Sequence, residues 1–164
     1  MIFPTDAART QPHIPSPFEL AELIDQVLSD WAFLSAVPAG KPAAGPTDLA
    51  LEFSVTISGP FECLLNLRAG HAFAEDLAQA STGDPGAREQ AADAFKELCN
   101  LVASHLLTAF LGGSHLAFAP FVPRVTDPGQ WPAGSPNVES IMLINHLPLE
   151  ARLWVKSSSG SSHA

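Results

Sequence analysis

The chain has 164 residues, 46% of them hydrophobic and 15% charged, which fits one globular domain and excludes a disordered chain. At that length a fold buries roughly 70% of the surface its unfolded chain exposes, enough for a real core. Eight Lys and Arg against 17 Asp and Glu give a formal charge of −9; that sign repels phosphate backbones and anionic lipid, which speaks against nucleic-acid and membrane-surface binding.

In chain order, residues 1–15 carry Pro4, Pro12 and Pro15 without periodicity and read as an irregular arm. Ser16-Pro17 reads as an N-cap with proline at the first helical position. Phe18, Leu20, Leu23, Ile24, Val27, Leu28 and Trp31 then recur at helical spacing, predicting a helix to about Leu34. Pro38, Gly40, Pro42, Gly45 and Pro46 mark residues 37–46 as a loop. Leu49, Leu51, Phe53, Val55 and Ile57 alternate with smaller or polar residues, the clearest strand signal in the chain. Ser58-Gly59-Pro60 turns that strand into a second, Phe61 to Leu67, and so makes a hairpin.

A short helix from Ala72 to about Ala80 and a turn at Gly83-Asp84-Pro85-Gly86 follow. A long helix from about Ala87 to Leu111 is stopped by Gly112-Gly113. Leu116 to Val122 reads as a strand, placed at an edge by Pro120, and residues 126–136 as a long loop. Val138 to Asn145 and Leu149 to Lys156 form a second hairpin around His146-Leu147-Pro148. Residues 157–164 are a Ser/Gly tail. The sum is one domain over residues 16–156, a weak duplication of a helix-plus-hairpin unit. Its long helices pack on one face of an antiparallel sheet, an α+β fold.

Cys63 and Cys99 make no CxxC pair and sit in apolar settings, so both read as small buried hydrophobes in a reducing compartment. Residues 1–30 lack the pattern of a secretory signal. The apolar run Leu101 to Leu111 is too short to span a bilayer. A cytoplasmic protein is the expectation.

On the long helix, Phe95, Leu98, Cys99, Val102 and Leu106 share one arc and predict the core face. Asp93, Glu97, Asn100 and Ser104 fall opposite, the first three within roughly 60° of one another, so they can address one object together. Such a polar face is what any surface helix shows. Two details separate this one. Asn is a poor residue for a helix interior, and Leu107 and Leu111 continue the same line as apolar surface, a mixture that suits a docking surface.

The run Asp93-Ala-Phe-Lys-Glu97-Leu-Cys-Asn100 resembles the D/S-x3-E-x2-N signature of the CheC/CheX/FliY phosphatases of bacterial chemotaxis, with Pro123 at the position of a family proline. Pro17-Phe18-Glu19 opening a helix, and the hairpin from Ser54 to Leu67 around Gly59, are similar to the corresponding CheX segments, so the likeness covers most of residues 15–156. Ser104 departs from the family pattern, which often has Gly there. In CheC both helices carry the motif, whereas the first helix here reads Glu22-Leu-Ile-Asp25, with Asp in the Asn position. The resemblance therefore implies one site per chain, as in CheX.

It also implies a function: hydrolysis of the phospho-aspartate of a phosphorylated CheY-like receiver domain. Phosphoryl transfer depends mostly on positioning and electrostatics. An amide both donates to and accepts from one water, which suits Asn100 to hold the attacking water. Glu97 would repel phosphoryl oxygens; by resemblance it pairs with the regulator's active-site lysine. Asp93 supports docking, or simply favours the N-terminal half of its helix, while Ser104 and Leu107 join the partner-binding surface. No cofactor of its own is expected, the Mg2+ belonging to the partner's site. Open hairpin edges suggest a homodimer by sheet extension, and the CheX resemblance implies the same.

Rival chemistries find less support. The six histidines, at 13, 71, 105, 115, 146 and 163, form no HxH or HxxxH pair, against a metal centre. No G-x-S-x-G is present, and Asp93 with Glu97 as an acid/base pair lacks the lined cleft that a carbohydrate site needs. The remaining alternatives keep the fold without hydrolysis: an adaptor that binds a receiver domain, or a flagellar-switch-like scaffold.

Overall fold

The computed structural model of the chain describes residues 13–39, 49, 51–58, 62–111, 124–125 and 134–156. The first helix, α1, runs Pro17–Ala32. It opens on a capping box, in which the Glu19 N–H donates to Ser16 Oγ at 3.1 Å and the Ser16 N–H to Glu19 Oε2 at 2.8 Å. It ends at Ala32, two residues before the predicted end, and its cap Phe33 takes the left-handed conformation with φ 56°.

Where a loop is predicted from Val37, the chain forms a three-residue strand, β1 (Val37–Ala39). So short a segment, with Pro38 at its centre, carries no readable alternation; it is a strand because Val37, Pro38 and Ala39 pair with Leu143, Met142 and Ile141. The predicted first hairpin is present as β2 (Leu51–Ser58) and β3 (Glu62–Ala69), with Gly59 and Pro60 outside the described residues. Helix α2 covers His71–Thr82, longer than predicted at both ends, and Gly83 ends it in the left-handed region at φ 71°.

The single long helix of the sequence reading is three segments. A 3-10 helix (Pro85–Gln90) starts where the Asp84 carboxylate accepts the Gly86 N–H at 2.8 Å; this side-chain turn followed by Pro85 winds the chain too tightly for an α-helix. Helix α3 proper is Ala91–Leu106, and a π-helical turn, Leu107–Leu111, extends it. Gly112-Gly113, the expected strand from Leu116 to Val122, Pro123, residues 126–133 of the expected loop and the 157–164 tail lie outside the described residues.

Strand β4 is Arg124–Val125, β5 Val138–Ile144 and β6 Leu147–Lys156. The second hairpin turns at Asn145-His146, both with positive φ (49° and 67°), one residue earlier than predicted. Two such residues match the twist of a tight hairpin. Pro148 is tolerated inside β6 because it faces Leu143 beyond the end of the β3–β6 ladder, which stops at Ala69 and Leu149.

The six strands form one antiparallel sheet in the order β1-β5-β6-β3-β2-β4. Exchanging the two halves of the chain reverses this order and leaves it unchanged. Each half contributes a helix, a short strand and a hairpin, and each short strand borders the hairpin of the other half. The duplication read from the sequence is thus a reciprocal exchange of edge strands about a centre between β3 and β6.

The three helices cover one face of the sheet. Leu65, Leu67, Leu149, Ala151 and Leu153 point into this layer, all at most 1% exposed. Phe95 seats α3, its ring lying edge-on to Phe53 at 5.6 Å and Phe73 at 6.1 Å. On the opposite face Asn66 is fully buried near the centre of the sheet, its amide donating to Ser54 Oγ at 3.0 Å and Glu52 Oε1 at 3.2 Å. Arg68 and Arg152 flank Glu150 on that face.

Candidate functional site

Helix α3 lies against α1 and α2 on one side and against β2 and β3 beneath. Its predicted core face is the buried one: Phe95, Leu98, Cys99, Val102 and Leu106 are each at most 1% exposed. The polar side chains follow from the same periodicity. Asp93 and Glu97 are exposed, Asn100 is half-buried, and Ser104 is exposed. At about 100° per residue the four fall within roughly 60° of arc. Among the described residues, the side chains of Asp93, Glu97 and Asn100 make no hydrogen bond or ion pair, so no neighbour in the described fold fixes them.

Two predicted contributors differ from expectation. The Ser104 hydroxyl donates to the Asn100 carbonyl at 2.9 Å, so its proton is directed along the helix instead of outward. The Thr108 hydroxyl repeats the pattern on the Ser104 carbonyl at 3.0 Å. Hydroxyls bonded back to the preceding turn bend helices, and the π turn begins within the same stretch. Leu107 is not part of a free apolar line. It is half-buried and packs against the core, because it lies on the flank of the ridge next to buried Leu106. The Leu111 side chain lies outside the described residues.

The matching segment of α1 is engaged differently. Asp25 Oδ1 accepts the Ala36 N–H at 2.7 Å and the Ser35 hydroxyl at 3.2 Å. Asp25 therefore ties the end of α1 to the entry of β1. The fold thus holds two related helices, one with its outward acid and amide unengaged and one with its carboxylate committed to structure.

Cysteine chemistry is excluded by burial. It pushes the Cys63 thiol up to about 12 and the Cys99 thiol higher still, and only a thiolate is a nucleophile. Both cysteines are free. Among the described residues no group of three or more His, Cys, Asp and Glu could hold a metal ion, and no described helix is long and apolar enough to cross a membrane.

One cluster near the site has no local sequence signal. His13 lies 3.4 Å from Glu19 through Nε2 and stacks on Phe110. The Ser16 backbone N–H, with the His13 ring beside it, holds the Glu19 carboxyl below its ordinary range. Only the [S/T]-x-x-E spacing of Ser16 and Glu19 was there to be read.

No protein-family model matches the chain, and no curated protein matches it. Solved structures do. CheX of Desulfovibrio desulfuricans is 17% identical with a TM-score of 0.58, covering 84% of this chain and 99% of its own. A complex of CheX with CheY, BeF3 and Mg2+ from Borrelia burgdorferi is 16% identical with a TM-score of 0.55, covering 84% and 95%. A CheC-like superfamily protein of Shewanella sp. PV-4 is 16% identical with a TM-score of 0.55, covering 87% and 99%. Element order, the one-sided helical layer and these likenesses agree, and the chain has the CheC-like α+β fold of the chemotaxis protein CheX.

Proposed function

We propose that this protein is a CheX-like phosphatase that hydrolyses the phospho-aspartate of a CheY-like receiver domain. The observation that carries the reading is the contrast between the two helices. Glu97 and Asn100 stand on the outward face of α3 without partners among the described residues, whereas Asp25 of α1 is bonded to Ala36 and Ser35.

Asn100 enters the receiver's site and holds one water, its carbonyl oxygen accepting from the water and its amide N–H free to donate to it or to a phosphoryl oxygen. The water attacks phosphorus in line, the bond from phosphorus to the aspartyl oxygen breaks, and inorganic phosphate and a free aspartate result. Glu97 fixes the docking register by pairing with a cationic side chain of the receiver. Asp93, one turn earlier, adds to the acidic face. A Mg2+ held by the receiver's own residues would neutralise charge on the phosphoryl group.

A homodimer is part of the proposal. Pro38 leaves the described part of edge strand β1 without one backbone N–H, which disfavours strand addition there. The dimer instead rests on apolar side chains beside β1. Phe33 is 87% exposed, Val37 61% and its cross-strand partner Leu143 38%.

Phosphate release from a phosphorylated receiver domain tests the enzymatic reading. The wild-type chain accelerates release, and Glu97→Ala raises the receiver concentration needed by about tenfold or more, as loss of a docking charge pair does. Binding of the receiver without release identifies an adaptor instead.

A further inference from the structure

The last carbonyls of a helix have no partner within it. At the end of the α3 extension one of them is met from far away in sequence: the His13 backbone N–H donates to the Phe110 carbonyl at 3.2 Å. The imidazole of the same residue stacks on the Phe110 ring, with centroids 5.6 Å apart and planes inclined by 28°. Its Nε2 is 3.4 Å from Glu19 Oε2, the oxygen that also accepts the Ser16 N–H. Pro15, between these points, is buried, and its ring fixes the local backbone. One carboxylate thereby serves both the first turn of α1 and the last turn of the site helix.

The tie reaches the site through the helix itself. Thr108 and Ser104 bond back, hydroxyl to carbonyl, as far as Asn100, and Leu107 opens the π turn that contains Phe110. We propose that His13 is a positioning residue for this site: its ring, stacked on Phe110 and held by Glu19 beside the backbone cap, fixes the π turn, and with it the Leu107 end of the docking face, in the register a receiver domain meets. The proposal rests on α3 being the docking helix.

The test uses the full chain and its His13→Ala and His13→Phe variants, read by amide hydrogen exchange and by phosphate release from a phosphorylated receiver. In His13→Ala, protection of the amides of residues 107–111 falls by about tenfold, while that of residues 95–103 is unchanged, as expected for a local opening. The KM for the receiver rises about three- to tenfold with kcat unchanged, the signature of lost uniform binding. His13→Phe, which keeps a ring to stack on Phe110, recovers part of both effects. The backbone N–H persists in His13→Ala, so unchanged protection at 107–111 overturns the role of the His13 side chain in holding the turn. Lost protection with an unchanged KM overturns its role in docking. If the wild-type chain neither binds nor dephosphorylates a receiver, the functional reading fails and the docking role falls with it, while the exchange data still report whether the His13 side chain holds the π turn.

Discussion

Asp25 and Asn100 occupy corresponding places on α1 and α3, and they differ by an oxygen in place of an amide nitrogen. The carboxylate suits its position because it accepts two donors, Ala36 N–H and Ser35 Oγ–H. An amide suits Asn100 because the proposed task needs a donor and an acceptor on one water. Asp25→Ala should therefore lower stability by about 1.5–3 kcal/mol, the range for a hydrogen bond to a charged group, and leave receiver dephosphorylation unchanged; denaturant melts and phosphate release check both halves. At this scale the ridge of Asp93, Glu97 and Asn100 was legible in the sequence because helical periodicity alone separates it from Phe95, Leu98 and Cys99. The roles of Ser104 and Leu107 were not. A hydroxyl turned back on its own helix and a flank residue packed on the core follow from local geometry that spacing does not encode. His13 was invisible for another reason: its partner Phe110 lies 97 positions away (110 − 13).

Helix ends and strand edges carry the next level of meaning. Phe33 closes α1 in the left-handed conformation that favours glycine, yet it is a bulky residue left 87% exposed. The conformation lets the Phe33 and Leu34 N–H groups donate to the Leu28 carbonyl, but the Phe33 side chain itself gains no burial from it. Phe33→Gly should raise monomer stability by about 1 kcal/mol, the cost of a left-handed backbone for a residue with a Cβ, and should shift the proposed dimer toward monomer. Thermal unfolding and light scattering read the two effects, and a dimer indifferent to the change would remove Phe33 from the interface. Strong elements were readable from sequence: the alternation of Leu51 to Ile57 and the Ser16-Pro17 start of α1. The weak ones were not, because β1 exists only through its pairing with β5, and the 3-10 start and π end of the long helix preserve its apolar spacing while changing its hydrogen bonds.

For the whole molecule, the informative feature is the reciprocal sheet. The order β1-β5-β6-β3-β2-β4 places a short strand of each half beside the hairpin of the other, so neither half can bury its helix on its own hairpin alone. Sequence showed a helix-plus-hairpin unit duplicated, but not this exchange, since pairing as distant as Val37 with Leu143 or Val55 with Val125 leaves no local mark. The symmetry also explains why one site is proposed per chain. Two equivalent helix faces are available, and side chains that bond inward have closed one of them. The claim on which the account depends is that the open face works through the Asn100 amide. Its most direct test is the dephosphorylation rate of a phosphorylated receiver at saturating concentrations of this protein, wild type against Asn100→Ala. The account predicts a loss of about 100-fold or more, as for removal of a group that acts in the transition state, with receiver binding retained; equal rates would contradict it.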